Sequence, residues 1–464
     1  MIAVDVVEAL ASACSDVWPG KDTDAVCGVI PAAVAAPGSV AEASALLRAA
    51  SAHDLAVVPR GAGTKLDWGL PPRRCDVVAD TARLDRILEH AAGDLVVRVQ
   101  AGVPVRRLQA ELARAGQQLA LDPPDAGGTG GSVGGLIATG MAGPRRLRYG
   151  APRDLLIGIT VVLADGTVAS SGGKVVKNVA GYDLGKLFAG SRGTLGLIAE
   201  ATFRLHPVPP DSTYVTLPCR GTALAAEAVR AAMGTQLAPS AVEIDARGRG
   251  EPITVAMLLE GRPDAVAERS AKMRETLSGA IATAGAGNGG TAGSAEASAA
   301  PPAWWNRSAA GPGGTLLQVA YPPADFRRVL DAIDTAAESA GKIDPVVRGS
   351  AGMGVLAIGL DAAPAGLNDA DSPAVVEYFV ATLRRLIAGQ GRGAGPEGSR
   401  PGAGSESEHT GLPGASVTVV HAPPEVRDRL DMIGPVPALG LMRAVKDQFD
   451  PGHLMAPGRL TGGI

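Results

Sequence analysis

Two glycine-rich stretches are the residues of this 464-residue chain best suited to chemistry. The shorter is Arg60-Gly61-Ala62-Gly63-Thr64, directly after the apolar run Ala56-Val57-Val58-Pro59. The longer covers residues 126–143 and reads AGGTGGSVGGLIATGMAG. Each glycine in a regular element costs roughly 0.5–1 kcal/mol against alanine, so a core helix or strand does not gather so many. Bare main chain can approach a bulky ligand and turn successive N–H groups onto anionic oxygens. A long dinucleotide with a diphosphate at its middle needs two such cradles. A flexible linker is the competing reading of the longer run. Against it, Val133, Leu136, Ile137 and Met141 interrupt the glycines, and no Pro, Ser or charged tract surrounds them. A plain βα turn is the competing reading of the shorter one.

Two familiar phosphate motifs are rejected. No G-x-x-x-x-G-K-[ST] occurs, so a P-loop NTPase is excluded. A G-x-G-x-x-A match at Gly352-Met353-Gly354-Val355-Leu356-Ala357 precedes a β-rich run and opens no helix, so it is read as chance. His206, beside Pro207, reads as structural. His421 follows an apolar run and reads as a satisfied or exposed side chain, with a place facing a cofactor as the sharper alternative. His53, His90, His409 and His453 have no matching carboxylate or histidine spacing. Tyr149 and Tyr182 suit either an aromatic cofactor wall or core packing. Arg348 reads as a surface arginine, with a substrate carboxylate as the alternative partner. Trp304-Trp305 reads equally as a docking anchor or a tucked hinge.

Composition removes several function classes. Net charge is −4, and no Lys/Arg cluster marks a nucleic-acid surface. Aromatic residues make up only 3%, too few for base-stacking platforms. No apolar run reaches the ~18 residues of a membrane span. Asp5 and Glu8 stand where a signal peptide carries Lys or Arg. The cysteines Cys14, Cys27, Cys75 and Cys219 form no C-x-x-C pair, so no metal or cluster site is expected. Reduced thiols and a cytoplasmic location follow.

The glycine stretches must be held by regular elements. Ser39-Val40-Ala41-Glu42 reads as a capping box opening a helix to about residue 52. Ala56-Val57-Val58 then reads as a buried strand. Residues 75–79 and 95–101 read as strands. Pro104 suits a first helical position, Val105, Leu108 and Leu112 share one face, and Gly116 ends that helix. Residues 155–163 and 167–169 form a hairpin around Asp165-Gly166. Residues 193–205 alternate strictly and predict a strand with one buried face. His206-Pro207 ends it, which puts a domain boundary near residue 210. Beyond that, strands at 254–259, 315–320 and 355–360 and helices at 326–340 and 374–388 predict an α+β domain. Tracts 285–303 and 389–414 are too poor in apolar side chains to order and read as mobile insertions. Helices are expected at 425–433 and 438–449, the second with Met442, Val445 and Phe449 on one side.

Taken in order, several segments recur in a known family. They are Arg60-Gly61-Ala62-Gly63-Thr64, Gly130-Gly131-Ser132-Val133-Gly134-Gly135, Arg148-Tyr149-Gly150, Arg153-Asp154, Lys177-Asn178-Val179-Ala180-Gly181-Tyr182-Asp183-Leu184 and Gly193-Thr194-Leu195-Gly196-Leu197-Ile198. Over about residues 28–210 the chain resembles the FAD-binding domain of the vanillyl-alcohol oxidase / p-cresol methylhydroxylase family. The tail GPVPALGLMRAVKDQFDPGHLMAPGRL, from Gly434, is similar to that family's closing segment, with Ala456 where asparagine is usual.

The resemblance implies an α+β fold with a two-part FAD-binding domain, an α+β cap domain, and a C-terminal segment returning to the FAD domain. The implied division is an N-terminal helical segment 1–27, the FAD-binding domain 28–210, a cap 211–420 carrying the two insertions, and a docking segment 421–464. Pro59, Arg60, Gly61, Ala62, Gly63 and Thr64 would hold the FAD diphosphate. Pro123, Thr129, Gly131, Ser132, Gly134 and Gly135 would run along the diphosphate, ribityl chain and flavin edge. Arg148, Tyr149, Gly150 and Asp154 would continue that wall, and Ile198 would meet the adenine end. Thr64 and Lys65 stand where several relatives carry an attaching histidine, so a non-covalent FAD is expected.

Within the family, overall length, the 177–184 wording and the tail are similar to the FAD-binding subunits of bacterial glycolate oxidases. That implies oxidation of glycolate, a small 2-hydroxy acid, to glyoxylate, with electrons passed through FAD to a second FAD-containing subunit and an iron–sulfur subunit. Association with the inner face of the membrane would come through that complex. The partner subunit's His-x-Gly-Asp-Gly-Asn-x-His motif has no counterpart here; its nearest echo, residues 348–354, lacks the histidines and the acid. No catalytic base is assigned. The rival readings are a self-sufficient FAD oxidase of another hydroxy acid or alcohol, and a non-catalytic assembly subunit.

Overall fold

A computed structural model describes residues 5–124, 130–173, 183–248, 250–288, 293–341, 343–361, 373–389 and 411–464. The chain divides into two compact units, one of Met1–Pro209 with Val436–Ile464 and one of Pro210–Pro435.

The first unit opens with a small sheet of β1 (Val17–Pro19), β2 (Ala33–Ala35), β3 (Val57–Arg60) and β4 (Val77–Asp80), in the order β1-β2-β4-β3. β2 and β3 both run parallel to β4. The helix Val40–Ala52 links β2 to β3 and buries Ala43, Leu46, Leu47 and Ala50. Only half of the expected capping box forms. The Ser39 hydroxyl accepts from the Glu42 N–H at 3.1 Å, but the Glu42 carboxylate accepts from Gly38, at 2.7 Å, and from Ser15. The N-terminal segment brings the Ser15 N–H to that carboxylate and diverts it from Ser39.

A second sheet holds β5 (Ile87–Ala91), β6 (Val96–Gln100), β8 (Leu156–Val162), β9 (Val168–Gly172) and β10 (Leu197–Arg204), in the order β5-β6-β10-β8-β9 and antiparallel throughout. β7 (Gln117–Gln118) pairs with β11 (His206–Pro207). Pro104 sits at the N-cap of the helix Val105–Ala113, one position earlier than expected, and Val105, Leu108 and Leu112 are buried. β10 departs from its one-sided expectation because it is the central strand and both its faces are covered. Leu197 and Ala199 pack into the core behind the small sheet, whereas Ala201 and Phe203 pack into the core around the helix Val105–Ala113. A β-bulge between Ile198 and Glu200 makes that change of side possible.

The returning segment joins the first unit at the outer edge of β3. The Val57 N–H donates to the Leu454 carbonyl and the Ala456 N–H to the Val57 carbonyl, each at 2.8 Å. Helix Leu439–Phe449 adds Val445 and Phe449 to the larger core, and Phe449 meets Phe188 edge-on at 5.6 Å. Lys446 is buried there, and its Nζ donates to the Thr194 carbonyl (2.7 Å), the Met455 carbonyl (2.9 Å) and the Asp450 carboxylate (2.5 Å). The helix expected at 425–433 is reduced to the single turn Pro424–Arg427, in the other unit.

The second unit is one eight-stranded antiparallel sheet. Its strands are β12 (Asp211–Cys219), β13 (Ala241–Arg247), β14 (Ile253–Gly261), β15 (Glu296–Ser298), β16 (Thr315–Ala320), β17 (Val346–Ser350), β18 (Val355–Leu360) and β19 (Ser416–His421). Their order is β15-β12-β14-β13-β17-β18-β16-β19. Helices Thr222–Met233, Pro263–Asn288, Phe326–Ser339 and Pro373–Ala388 accompany it, so this unit too is α+β. The expected cut at residue 421 runs through β19. Of the insertion expected at 285–303, residues 285–288 continue a helix, 289–292 lie outside the described residues, and β15 pairs with β12 through Tyr214 and Ser298. Of the second insertion, 390–410, including His409, lie outside the described residues.

Candidate functional site: a cationic, backbone-lined groove

β3 ends by releasing the loop Gly61-Ala62-Gly63-Thr64 beside the start of the helix Val133–Thr139. Ser132 is the N-cap of that helix, and its buried hydroxyl accepts from the Gly135 N–H and from the Ala62 N–H, both at 3.3 Å. One side chain therefore fastens both glycine stretches. A Cβ on Gly61 would overlap the Ser132 Oγ, and a Cβ on Gly134 would press on Ala101 at 2.8 Å. Gly130 and Gly131 hold φ of +70° and +69°, a region that side chains other than glycine's rarely adopt. Gly61 is thus required by the close approach of the two loops, Gly134 by its packing on Ala101, and Gly130 and Gly131 by their backbone conformation.

The groove between them encloses about 1080 Å³, its solvent-open mouth included. Of the residues expected in the site, Pro59, Arg60, Gly61, Ala62, Gly63 and Thr64 line it from one side. Pro123, Gly131, Ser132, Gly134 and Gly135 line it from the other, and Ile198 also borders it. Thr129 lies outside the described residues, as do 177–182 of the motif 177–184, with Tyr182.

Arg148, Tyr149, Gly150 and Asp154 are not part of the described lining. The Asp154 carboxylate accepts from the Ala151 N–H at 2.8 Å and shapes a turn. Tyr149 is buried in the core, edge-on to His206 at 4.9 Å, with the Arg148 guanidinium over its ring at 5.5 Å. Burial, with the charges of Arg204 and Arg148, holds the His206 imidazole below its usual range.

The other candidates fall in the second unit. Arg348 is no surface arginine: it pairs with Asp245 across β13 and β17 at 2.6 Å. His421 Nδ1 lies 3.0 Å from the Gly314 carbonyl. Trp305 packs edge-on to Tyr214 at 5.0 Å. Gly352 and Gly354 lie in a tight turn before β18, which bears out the rejection of that motif.

The groove is also lined by residues outside the expected site set. Arg192 and Arg459 line it, as do Lys65, Trp68, Thr139 and Met141. Arg60 also lines it, but its guanidinium is engaged by Asp24 at 2.7 Å and Asp80 at 2.8 Å. No Asp, Glu, His or Tyr lines the groove among the described residues. A cationic wall, glycine-rich main chain that allows close approach, and apolar patches from Leu66, Leu136, Met141 and Ile198 suit an elongated ligand with an anionic middle and flat ring ends.

Comparison with known proteins defines the class. Residues 31–172 match the FAD binding domain family, so this unit contains an FAD-binding domain. The chain as a whole has the p-cresol methylhydroxylase-type fold. It superposes on substrate-bound p-cresol methylhydroxylase with a TM-score of 0.67, covering 98% of this chain and 96% of that one at 14% identity.

Among curated proteins, the chain is 37% identical over 216 residues to the glycolate oxidase subunit GlcD of Bacillus subtilis, covering 46% of this chain and 45% of the relative. It is 40% identical over 188 residues to a D-2-hydroxyglutarate dehydrogenase of Xanthomonas citri pv. viticola, covering 40% and 39%. The chain thus spans less than half the length of these curated relatives.

Proposed function

We propose that this chain is an FAD-dependent oxidoreductase of 2-hydroxy acids and acts as the FAD-binding subunit of a glycolate oxidase-type complex. The observation that carries the reading is the fastening of two glycine loops around a cationic groove, within a segment that matches an FAD binding domain. The two curated relatives named above act on 2-hydroxy acids of different size, which supports the substrate class. FAD, when bound, supplies the hydride and electron acceptor. The chain's own part is to hold it: the glycine main chain of the 60–64 and 130–135 loops lets the anionic middle approach closely, and Leu66, Leu136, Met141 and Ile198 shield the flat ends from water.

A non-covalent FAD is part of this reading, since Thr64 and Lys65 stand in the first loop where several relatives carry an attaching histidine. Hydride removal from a 2-hydroxy acid needs a base at the hydroxyl and a cation for the carboxylate. Turnover in company with a second FAD-containing subunit and an iron–sulfur subunit is supported by the similarity to a glycolate oxidase subunit. No described helix is long and apolar enough to cross a membrane.

The test is to purify the chain alone and with its partners and record flavin absorbance before and after anaerobic glycolate. Bleaching only in the complex supports the subunit reading. Bleaching of the isolated chain makes it a self-sufficient enzyme. Yellow colour that stays with acid-precipitated protein overturns non-covalent binding.

A further inference from the structure

Three arginines line the FAD groove, and only one is neutralised. Arg60 has two carboxylates. Arg192 and Arg459 have none among the described residues. Arg459 is 4% exposed; its guanidinium donates to the Trp68 carbonyl at 3.0 Å and reaches the Cys27 sulfur at 3.5 Å. The Arg192 guanidinium lies beside Gly69, where a Cβ would overlap its Nη1. The φ of +81° at Gly69 and of +53° at Arg192 itself give this side chain its place. The two cations therefore flank the Trp68–Gly69 segment, which continues the diphosphate loop.

Burying an unpaired cation is costly, and burying two together is costlier, because each disfavours the other's charge. Burial, reinforced by the charge of Arg459, pulls the Arg192 guanidinium below its usual range. A fold tolerates such a pair where a polyanion arrives to satisfy both. Guanidinium forks match phosphate oxygens in pairs.

We propose that Arg192 and Arg459 form a two-guanidinium receptor for the diphosphate of FAD, in addition to the backbone cradle. This rests on the FAD assignment. The pair makes the apo groove self-repelling, and the cofactor's two negative charges remove that repulsion.

The test uses the full chain stripped of cofactor. FAD is titrated by flavin fluorescence at low and high salt, with riboflavin, which has no phosphate, as control and ADP as competitor. Arg192→Met and Arg459→Met are each expected to weaken FAD about tenfold or more, as loss of a charge-assisted contact does, with a shallower salt dependence. Riboflavin binding should be unchanged and ADP competition lost. Arg192→Lys should recover part of the FAD affinity, and the apo form of Arg192→Met should melt at a higher temperature than the unsubstituted apo chain. If the unsubstituted chain binds FAD and Arg192→Met binds it equally well, the receptor is refuted while the FAD assignment stands. An equal loss of riboflavin also refutes it, by showing a general disturbance of the groove. If the unsubstituted chain takes up no FAD, both fail together.

Discussion

The Ser132 hydroxyl occupies the space a side chain on Gly61 would need, and it accepts the N–H of Ala62, the next residue along. This contact makes one binding surface of two loops separated by some seventy positions in sequence.

Gly61→Ala should therefore push the loops apart and abolish FAD retention on a desalting column. The steric conflict is chiefly with Oγ, since the Ser132 Cβ stands 3.3 Å from the same point. Gly61→Ala/Ser132→Ala should hold more FAD than Gly61→Ala alone, although Ser132→Ala by itself loses a helix cap worth about 1 kcal/mol. A double variant no better than the single one refutes the contact's role.

Lys446 and Asp450 form an ion pair that is fully buried and bonded on every side. Lys446→Met keeps the volume but leaves Asp450 charged and dry, a change that costs about 3–5 kcal/mol in such pairs. Denaturant midpoints should register that loss, and proteolysis should release the segment 436–464 first. An unchanged midpoint would show that the pair contributes nothing net.

His206 should give the protein a pH dependence near neutrality. Its folded form resists protonation because of burial and of Arg204 and Arg148. An unfolded imidazole titrates near pH ~6.5. The His206 contribution is thus complete above that pH and is lost as pH falls through the lower folded value. His206→Phe keeps a ring against Tyr149 and should flatten the stability curve between pH 7.5 and 5. A curve of unchanged slope assigns the dependence elsewhere.

Glu42 should act at lower pH. Burial alone would raise its carboxyl, but hydrogen bonds from Ser15 and Gly38 and the charge of Arg83 pull it down to about 2. Its contribution is present above the ordinary glutamate range and lost as pH falls through about 2. Glu42→Gln should cost about 1 kcal/mol at pH 7, and that gap should close on acidification. A gap that persists at pH 2 would contradict the assignment.

The groove's main-chain walls were legible because dense glycine runs stand out within a few residues, although the contacts that require Gly61 (Ser132) and Gly134 (Ala101) come from far along the chain. Its charges were not. Arg192 stands one position before the quoted Gly193 motif, and Arg459 closes a tail read only for its likeness. Nothing in their separate neighbourhoods shows that they converge on Trp68 and Gly69. Arg148, Tyr149, Gly150 and Asp154 entered the expected site through the resemblance alone; the structure shows the Ala151 N–H on Asp154 and the His206 ring against Tyr149. β16 and β18 stood out as continuous apolar runs. β13 did not, because Glu243, Asp245 and Arg247 alternate with its apolar residues and broke the run. Lys446 drew no notice in the helix expected at 438–449, because the Thr194 and Met455 carbonyls that surround it come from elsewhere in the chain.

β3, the strand that launches the 61–64 loop, gains its outer neighbour only from Leu454 to Ala456, beyond the entire second unit in the chain. On the ribosome, that edge waits until everything through Pro435 has been made. Nascent chains can thus bury most of the first core while still unable to grip their cofactor. Flavin capture becomes a late checkpoint on synthesis, and fragments halted before the tail stay colourless.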